Sequence, residues 1–213
     1  MKPIRTNYII GFALALCAGA AIPFLIGSIQ PGEPHSIKSE VPYCVTPPSV
    51  PEEAVFDGKT IDLRRYDRHE RMDREMMAFT YMHSTTMLML KRANRYFPVI
   101  EPILKANGIP DDFKYLMVIE SSLNPIARSP SGAAGLWQIM PATGREFGLE
   151  VNDNVDERYN IRKATMAACD YFKQAYAKYG DWISVSAAYN AGQGRISTEL
   201  DKESYLINLL NTY

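Results

Sequence analysis

The sequence predicts a mainly α-helical domain with at most a very small β element, preceded by an N-terminal transmembrane helix. Three observations carry that expectation: apolar residues recur at helical spacing between Gly and Pro stops, clear period-two strand patterns are absent, and an uncharged run long enough to cross a bilayer opens the chain. With 213 residues there is room for one domain of ordinary size plus an appendage, and too little for two.

The uncharged run extends from Tyr8 to Ile29, 22 residues, or roughly 33 Å as a helix. Lys2 and Arg5 precede it, so the positive-inside rule keeps the N-terminus cytoplasmic and exports the rest of the chain. A cleaved signal peptide ending at Ala18-Gly19-Ala20 and a lipoprotein signal at Cys17 are the alternatives. The first leaves the apolar stretch 22–29 at the head of the mature chain; the second lacks a small residue before its cysteine, where Leu16 stands. All three export the chain, so Cys44 and Cys169 are expected where disulfides are permitted; a bond between the two is the alternative to a free linker thiol and a small buried apolar residue. Six prolines between positions 31 and 51 favour an extended spacer. The expected organisation is therefore 1–30 anchor or signal segment, 31–60 Pro-rich linker, and 61–213 folded domain.

Residues 62–96 lack Gly and Pro, and Met72, Met76, Phe79, Met87 and Leu90 fall near one helical face. One long amphipathic helix is expected, its Met-rich stripe facing the core rather than a membrane surface. His69-Glu70 fails the H-E-x-x-H zinc pattern because Asp73 stands where the second His belongs. His69 is expected exposed and His83 packed. Residues 98–107 read as a short helix stopped by Gly108, and Pro110 as the first residue of the next. Residues 164–179 form another, stopped by Gly180, and Asp181 caps a helix beginning at Trp182. A small sheet has room only between Asn124 and Gly135 or around Val151.

Lys+Arg 23 against Asp+Glu 24 leaves a formal charge of −1, so no broad basic field exists for a nucleic-acid backbone. Three scattered cysteines make neither a disulfide scaffold nor a Cys-rich zinc site. The acidic run 152–157 has alternating oxygen ligands but lacks the turn glycine and closing glutamate of a calcium loop. No metal and no cofactor are expected.

The chemistry concentrates after Pro110. Phe113, Leu116, Met117 and Glu120 occupy i, i+3, i+4 and i+7, so a carboxyl continues an apolar stripe after five apolar residues, Tyr115 to Ile119. Pro125 limits the helix, which places Glu120 in its last turn, where the dipole disfavours an anion. Burial and dipole both raise the pKa and keep a proton available, as a general acid requires. The competing reading is a Glu at a helix end that reaches out to water.

Downstream come Ala127 to Pro141, including Ser129-Pro130-Ser131-Gly132-Ala133-Ala134-Gly135-Leu136-Trp137-Gln138-Ile139-Met140-Pro141, and later Ala188-Tyr189-Asn190-Ala191-Gly192. The ordered set E-S-x-x-N-P, S-P-x-G-A-x-G-L-W-Q-I-M-P and A-Y-N-A-G resembles the family 1 lytic transglycosylases, whose SLT domain has a goose-type lysozyme-like fold. Residues 96–110, ahead of Glu120-Ser121, look most like the membrane-bound lytic murein transglycosylase D branch.

The resemblance covers about 60–200 and implies that Glu120 is the sole catalytic acid/base. It makes Ser121, Ser129, Gln138, Met140, Tyr189 and Asn190 substrate-binding. Gly132 and Gly135 are expected to let backbone approach a sugar, and Met140 and Tyr189 to wall off water, whereas Trp137 is expected to fill core. The implied partner is the peptidoglycan glycan strand, met by a monomer on the periplasmic face of the inner membrane. In the family a Glu-Thr-x-x-Tyr segment comes next and contributes to the cleft; its absence here implies a C-terminally truncated domain or a missing wall. A non-catalytic peptidoglycan-binding module and a muramidase-type hydrolase are the alternatives.

Overall fold

The computed structural model describes residues 45–192, 194 and 196–200. The expected transmembrane helix, residues 31–44 of the proline-rich spacer, with Cys17, Cys44 and the C-terminal tail, lie outside the described residues. Among those described, no helix is long and apolar enough to cross a membrane.

The first element corrects the sequence reading. Residues 53–62, at the end of the stretch expected to be spacer, form an antiparallel hairpin of β1 (Glu53–Phe56) and β2 (Lys59–Asp62). Asp57 and Gly58 make its two-residue turn with φ of 49° and 69°, the positive values a type I′ turn demands. Phe56 enters the main core, its ring 5.9 Å from that of Phe113.

The single long helix is in fact two, α1 (Tyr66–Tyr81) and α2 (His83–Ala106), parted at Met82 where ψ reaches 46°. No glycine or proline marks the break. The Thr86 hydroxyl donates to the Phe79 carbonyl at 2.6 Å, satisfying an oxygen that the interruption would leave without a partner. Met72 and Met76 are buried against Leu63 as the stripe predicts, but Met87 is exposed. His83 is exposed too, rather than packed.

The helix expected to begin at Pro98 is the second half of α2, which runs through Pro98 and Pro102. Both prolines and Asn94 sit at exposed positions, so the Asn94 and Pro98 carbonyls, which lose a donor, belong to residues on the solvent face of the helix. On the opposite face Met89, Ala93, Tyr96, Ile100 and Leu104 are buried and hold the helix together across them. Gly108, at φ 70°, ends it as expected.

Pro110 precedes a 3-10 turn (Asp111–Tyr115) rather than opening an α-helix, and the six-residue α3 (Leu116–Ser121) comes directly after. After α4 (Pro141–Glu146) and a second 3-10 turn (Glu157–Tyr159) comes α5 (Ile161–Tyr179). It begins three residues earlier than predicted, where Asn160 accepts from the Lys163 N–H at 3.1 Å, and stops at Gly180. Asp181 caps α6 (Trp182–Ala191) by accepting from the Ser184 N–H at 2.8 Å. The two loops that had room for a sheet hold isolated bridges only, Arg128 with Ala134, Ala134 with Ile139, and Val151 with Asp156. Phe113, Trp137 and Phe172 form the centre of the core, with ring centroids 4.7 Å and 5.7 Å from Phe172.

Candidate active site

The helix carrying Glu120 is short because its surroundings define it on both sides. Leu116, Met117 and Val118 are buried, so α3 is a plug in the core whose last turn brings a carboxyl to the edge of that core. It ends at Ser122 and Leu123, two consecutive non-glycine residues at φ 51° and 56°. Such residues adopt left-handed backbone at a cost. Here it is offset by burial of Leu123 and by a hydrogen bond from Arg92 to the Ser122 carbonyl at 3.0 Å.

The Glu120 carboxyl is pushed up to about 7 by burial, opposed by a hydrogen bond from the Asn190 side chain. It opens into a groove of about 850 Å³. Glu120, Ser129, Gln138, Met140, Tyr189 and Asn190 all line it. Ser121 does not. Its hydroxyl lies 2.9 Å from both the Met117 and Leu136 carbonyls and ties α3 to the following loop, so its place is structural.

That loop, residues 127–140, forms the second side of the groove. Ser129 Oγ accepts from the Ala133 N–H at 3.0 Å and lies 2.9 Å from Ser131 Oγ, which shapes the turn beneath the opening. Gln138, at φ 47°, directs its amide Nε2 to the carbonyls of Gly135 and Ala127 at 2.9 and 3.2 Å. Met140 is 41% exposed, so it stands at the rim rather than sealing Glu120 from water. Trp137 is fully buried, its Nε1 donating to Thr165 Oγ1 at 2.9 Å, as the sequence suggests.

Gly135 has a different reason from the one expected. A Cβ there would meet the Arg158 carbonyl oxygen at 2.1 Å, so glycine is needed for protein backbone to approach protein backbone. Arg158 itself is buried and donates to the carbonyls of Gly132 and Ile139 at 2.7 and 2.9 Å, while Asp156 takes its Nε and Nη2 at 2.8 and 2.7 Å. The acidic run that resembled a cation loop thus supplies the counter-ion of this buried guanidinium.

The third side comes from α5 and α6. Ala167, Tyr171 and Gln174 fall at i, i+4 and i+7 on one face of α5 and line the groove. Tyr189 is held by the rings of Tyr171 and Phe172 at 5.3 and 5.1 Å, and its hydroxyl donates to the Trp137 carbonyl. Burial, with Glu120's charge second, raises the phenol well above its ordinary value, so it remains a neutral donor. Sequence reasoning missed Tyr171, Gln174, Thr143 and Glu146 as lining residues; the helical spacing within α5 is the signal that links the first two. Among the described residues, the charged side chains lining the groove are Glu120 and Glu146, with no Lys or Arg. Such a groove suits a neutral, hydroxyl- and amide-rich polymer, and leaves Glu120 without a cation to hold it ionised.

A family model described as Transglycosylase SLT domain matches residues 97–207. Over 118 residues the chain is 36% identical to the Membrane-bound lytic murein transglycosylase D of Escherichia coli (strain K12), covering 55% of this chain and 25% of that protein. It is 39% identical over 98 residues to the Soluble lytic murein transglycosylase of the same strain, covering 40% and 15% respectively. The Putative tributyltin chloride resistance protein of Alteromonas sp. (strain M-1) is 30% identical over 117 residues, 54% of this chain and 56% of that one. The chain matches about a quarter of the first of these relatives.

Proposed function

The chain belongs to the transglycosylase SLT domain family, and on that premise we propose that it is a peptidoglycan lytic transglycosylase of the cell envelope. It cleaves the β-1,4 bond between N-acetylmuramic acid and N-acetylglucosamine and leaves 1,6-anhydromuramyl ends. The observation that carries this reading is a carboxyl raised to about 7 in a groove that no Lys or Arg lines among the described residues.

Protonated Glu120 donates to the oxygen of the scissile bond, and the bond from that oxygen to C1 of the muramyl sugar breaks. The neighbouring N-acetyl group stabilises the positive charge that develops at C1. Ionised Glu120 then removes the proton of the C6 hydroxyl, and that oxygen bonds to C1. One carboxyl therefore serves as acid and then as base, and no water is consumed. The Asn190 hydrogen bond supports the second half, since it stabilises the carboxylate that the first half creates. Ser129, Gln138 and Met140 on one side and Tyr189 and Asn190 on the other hold the sugar across the acid. The uncharged N-terminal run anchors the domain at the periplasmic face of the inner membrane.

Glu146 in the same groove favours a second reading, in which a paired carboxylate activates water and the enzyme is a muramidase. Digestion of purified sacculi and mass analysis of the muropeptides separate the two. Anhydro ends, lost in Glu120→Gln and kept in Glu146→Gln, are expected; reducing ends lost in both would establish the hydrolase.

A further inference from the structure

The end of α1 and the start of α2 present a surface that the groove does not use. Tyr81, Met82, Met87 and Leu88 are 54%, 48%, 57% and 45% exposed. The same face of α2 continues at helical spacing through Lys91 and Arg95, both exposed. The only carboxylate of α2, Glu101, is engaged by Lys114 at 2.7 Å. An apolar patch that gives way to cations with no ion-pair partner among the described residues suits the headgroup region of an anionic bilayer, with the apolar side chains entering it and the cations meeting phosphates.

The path of the chain selects this occupant over others. The Tyr81 hydroxyl donates to the Val45 carbonyl at 3.3 Å, so the first described residue rests beside the patch. Only residues 30–44 separate Val45 from the uncharged run ending at Ile29. Fully extended they reach roughly 50 Å, and any less extended path brings the patch nearer to wherever that run inserts. We propose that Tyr81, Met82, Met87, Leu88, Lys91 and Arg95 form a membrane-docking surface that lays the domain against an anionic bilayer. The proposal concerns placement and is independent of the reaction, so muropeptide analysis and a vesicle experiment fail separately.

The test uses the full chain in vesicles of phosphatidylethanolamine with phosphatidylglycerol as minority lipid, some acyl chains brominated to quench indole emission. Leu88→Trp reports on the patch, Met87→Trp serves if that variant misfolds, and Val155→Trp, on an exposed loop, is the control. Emission above the wild-type background is expected to fall roughly twofold at position 88 and little at position 155. Lys91→Glu with Arg95→Glu, or high salt, is expected to restore it. Unquenched emission from chain that floats with the vesicles, quenching indifferent to both charge reversal and salt, or failure to float would each overturn the proposal. So would an indole shielded from both brominated lipid and aqueous iodide, since another segment or a second copy would then cover the patch.

Discussion

At Glu120 a single equilibrium links stability to the proposed activity. Its carboxyl moves from 4.5 to about 7 on burial, so the native state binds a proton more tightly than the unfolded one. Folding stability therefore falls as pH rises from 4.5 to about 7 and stays lowered above, by at most roughly 3 kcal/mol. Glu120→Gln is expected to melt higher than the native protein at pH 8 and to show no such gain at pH 4, by calorimetry. The same variant should lose anhydro-product release by about 10²–10⁴-fold. In the native enzyme kcat/KM should fall about tenfold per pH unit above about 7, as the acid form is depleted. This residue was legible because its stripe and its last-turn position are local properties of the chain. The left-handed backbone two residues on was not, since nothing in Ser122-Leu123 advertises it. Ser122→Gly should raise the urea midpoint by up to about 1 kcal/mol equivalent, because glycine adopts φ 51° without strain.

Among elements, the loop of residues 127–140 depends most on distant partners. Arg158 satisfies two of its carbonyls from a buried position, and Asp156 balances the charge. Arg158→Met is expected to cost about 2–4 kcal/mol in denaturant unfolding, leaving those carbonyls unpaired, and to raise KM, since the loop carries Ser129, Gln138 and Met140. Asp156 is held below the usual carboxylate value by its hydrogen bonds to Arg158, so this stabilisation is present above pH 3.8 and is lost as pH falls below it. Gly135→Ala should cost more than about 3 kcal/mol, because the added methyl meets backbone and φ is 77°. The helices α5 and α6 were readable from their stops and caps. The division of α1 from α2 was not, and neither was the continuity of α2 through two prolines. A break without Gly or Pro depends on a Thr86 contact seven residues away, while prolines on a solvated face leave the buried face intact.

For the whole molecule, the hairpin of residues 53–62 is part of the folded unit. Phe56 packs on Phe113, the Asp57 N–H donates to Asp112 at 2.8 Å, and Lys59 pairs with Asp181, so the hairpin braces both the segment leading into α3 and the cap of α6. Phe56→Ala is expected to lower stability by about 3–5 kcal/mol in one cooperative unfolding transition, rather than leave it unchanged as a change in a spacer would. The Asp57-Gly58 pair was a readable turn signal, masked by the prolines before it. By itself the sequence determined the helical class, the helix stops at Gly108 and Gly180 and the desolvated acid, because each arises from contacts within a turn or two of chain. The motifs also marked which segments meet at Glu120. Only the tertiary structure decided that Tyr171, Gln174 and Glu146 share the groove, that Ser121 is tied to the loop instead of lining it, and that Arg158 rivets that loop. Those roles are contacts between segments far apart in the chain, and no local pattern of spacing records which surfaces a folded chain brings together.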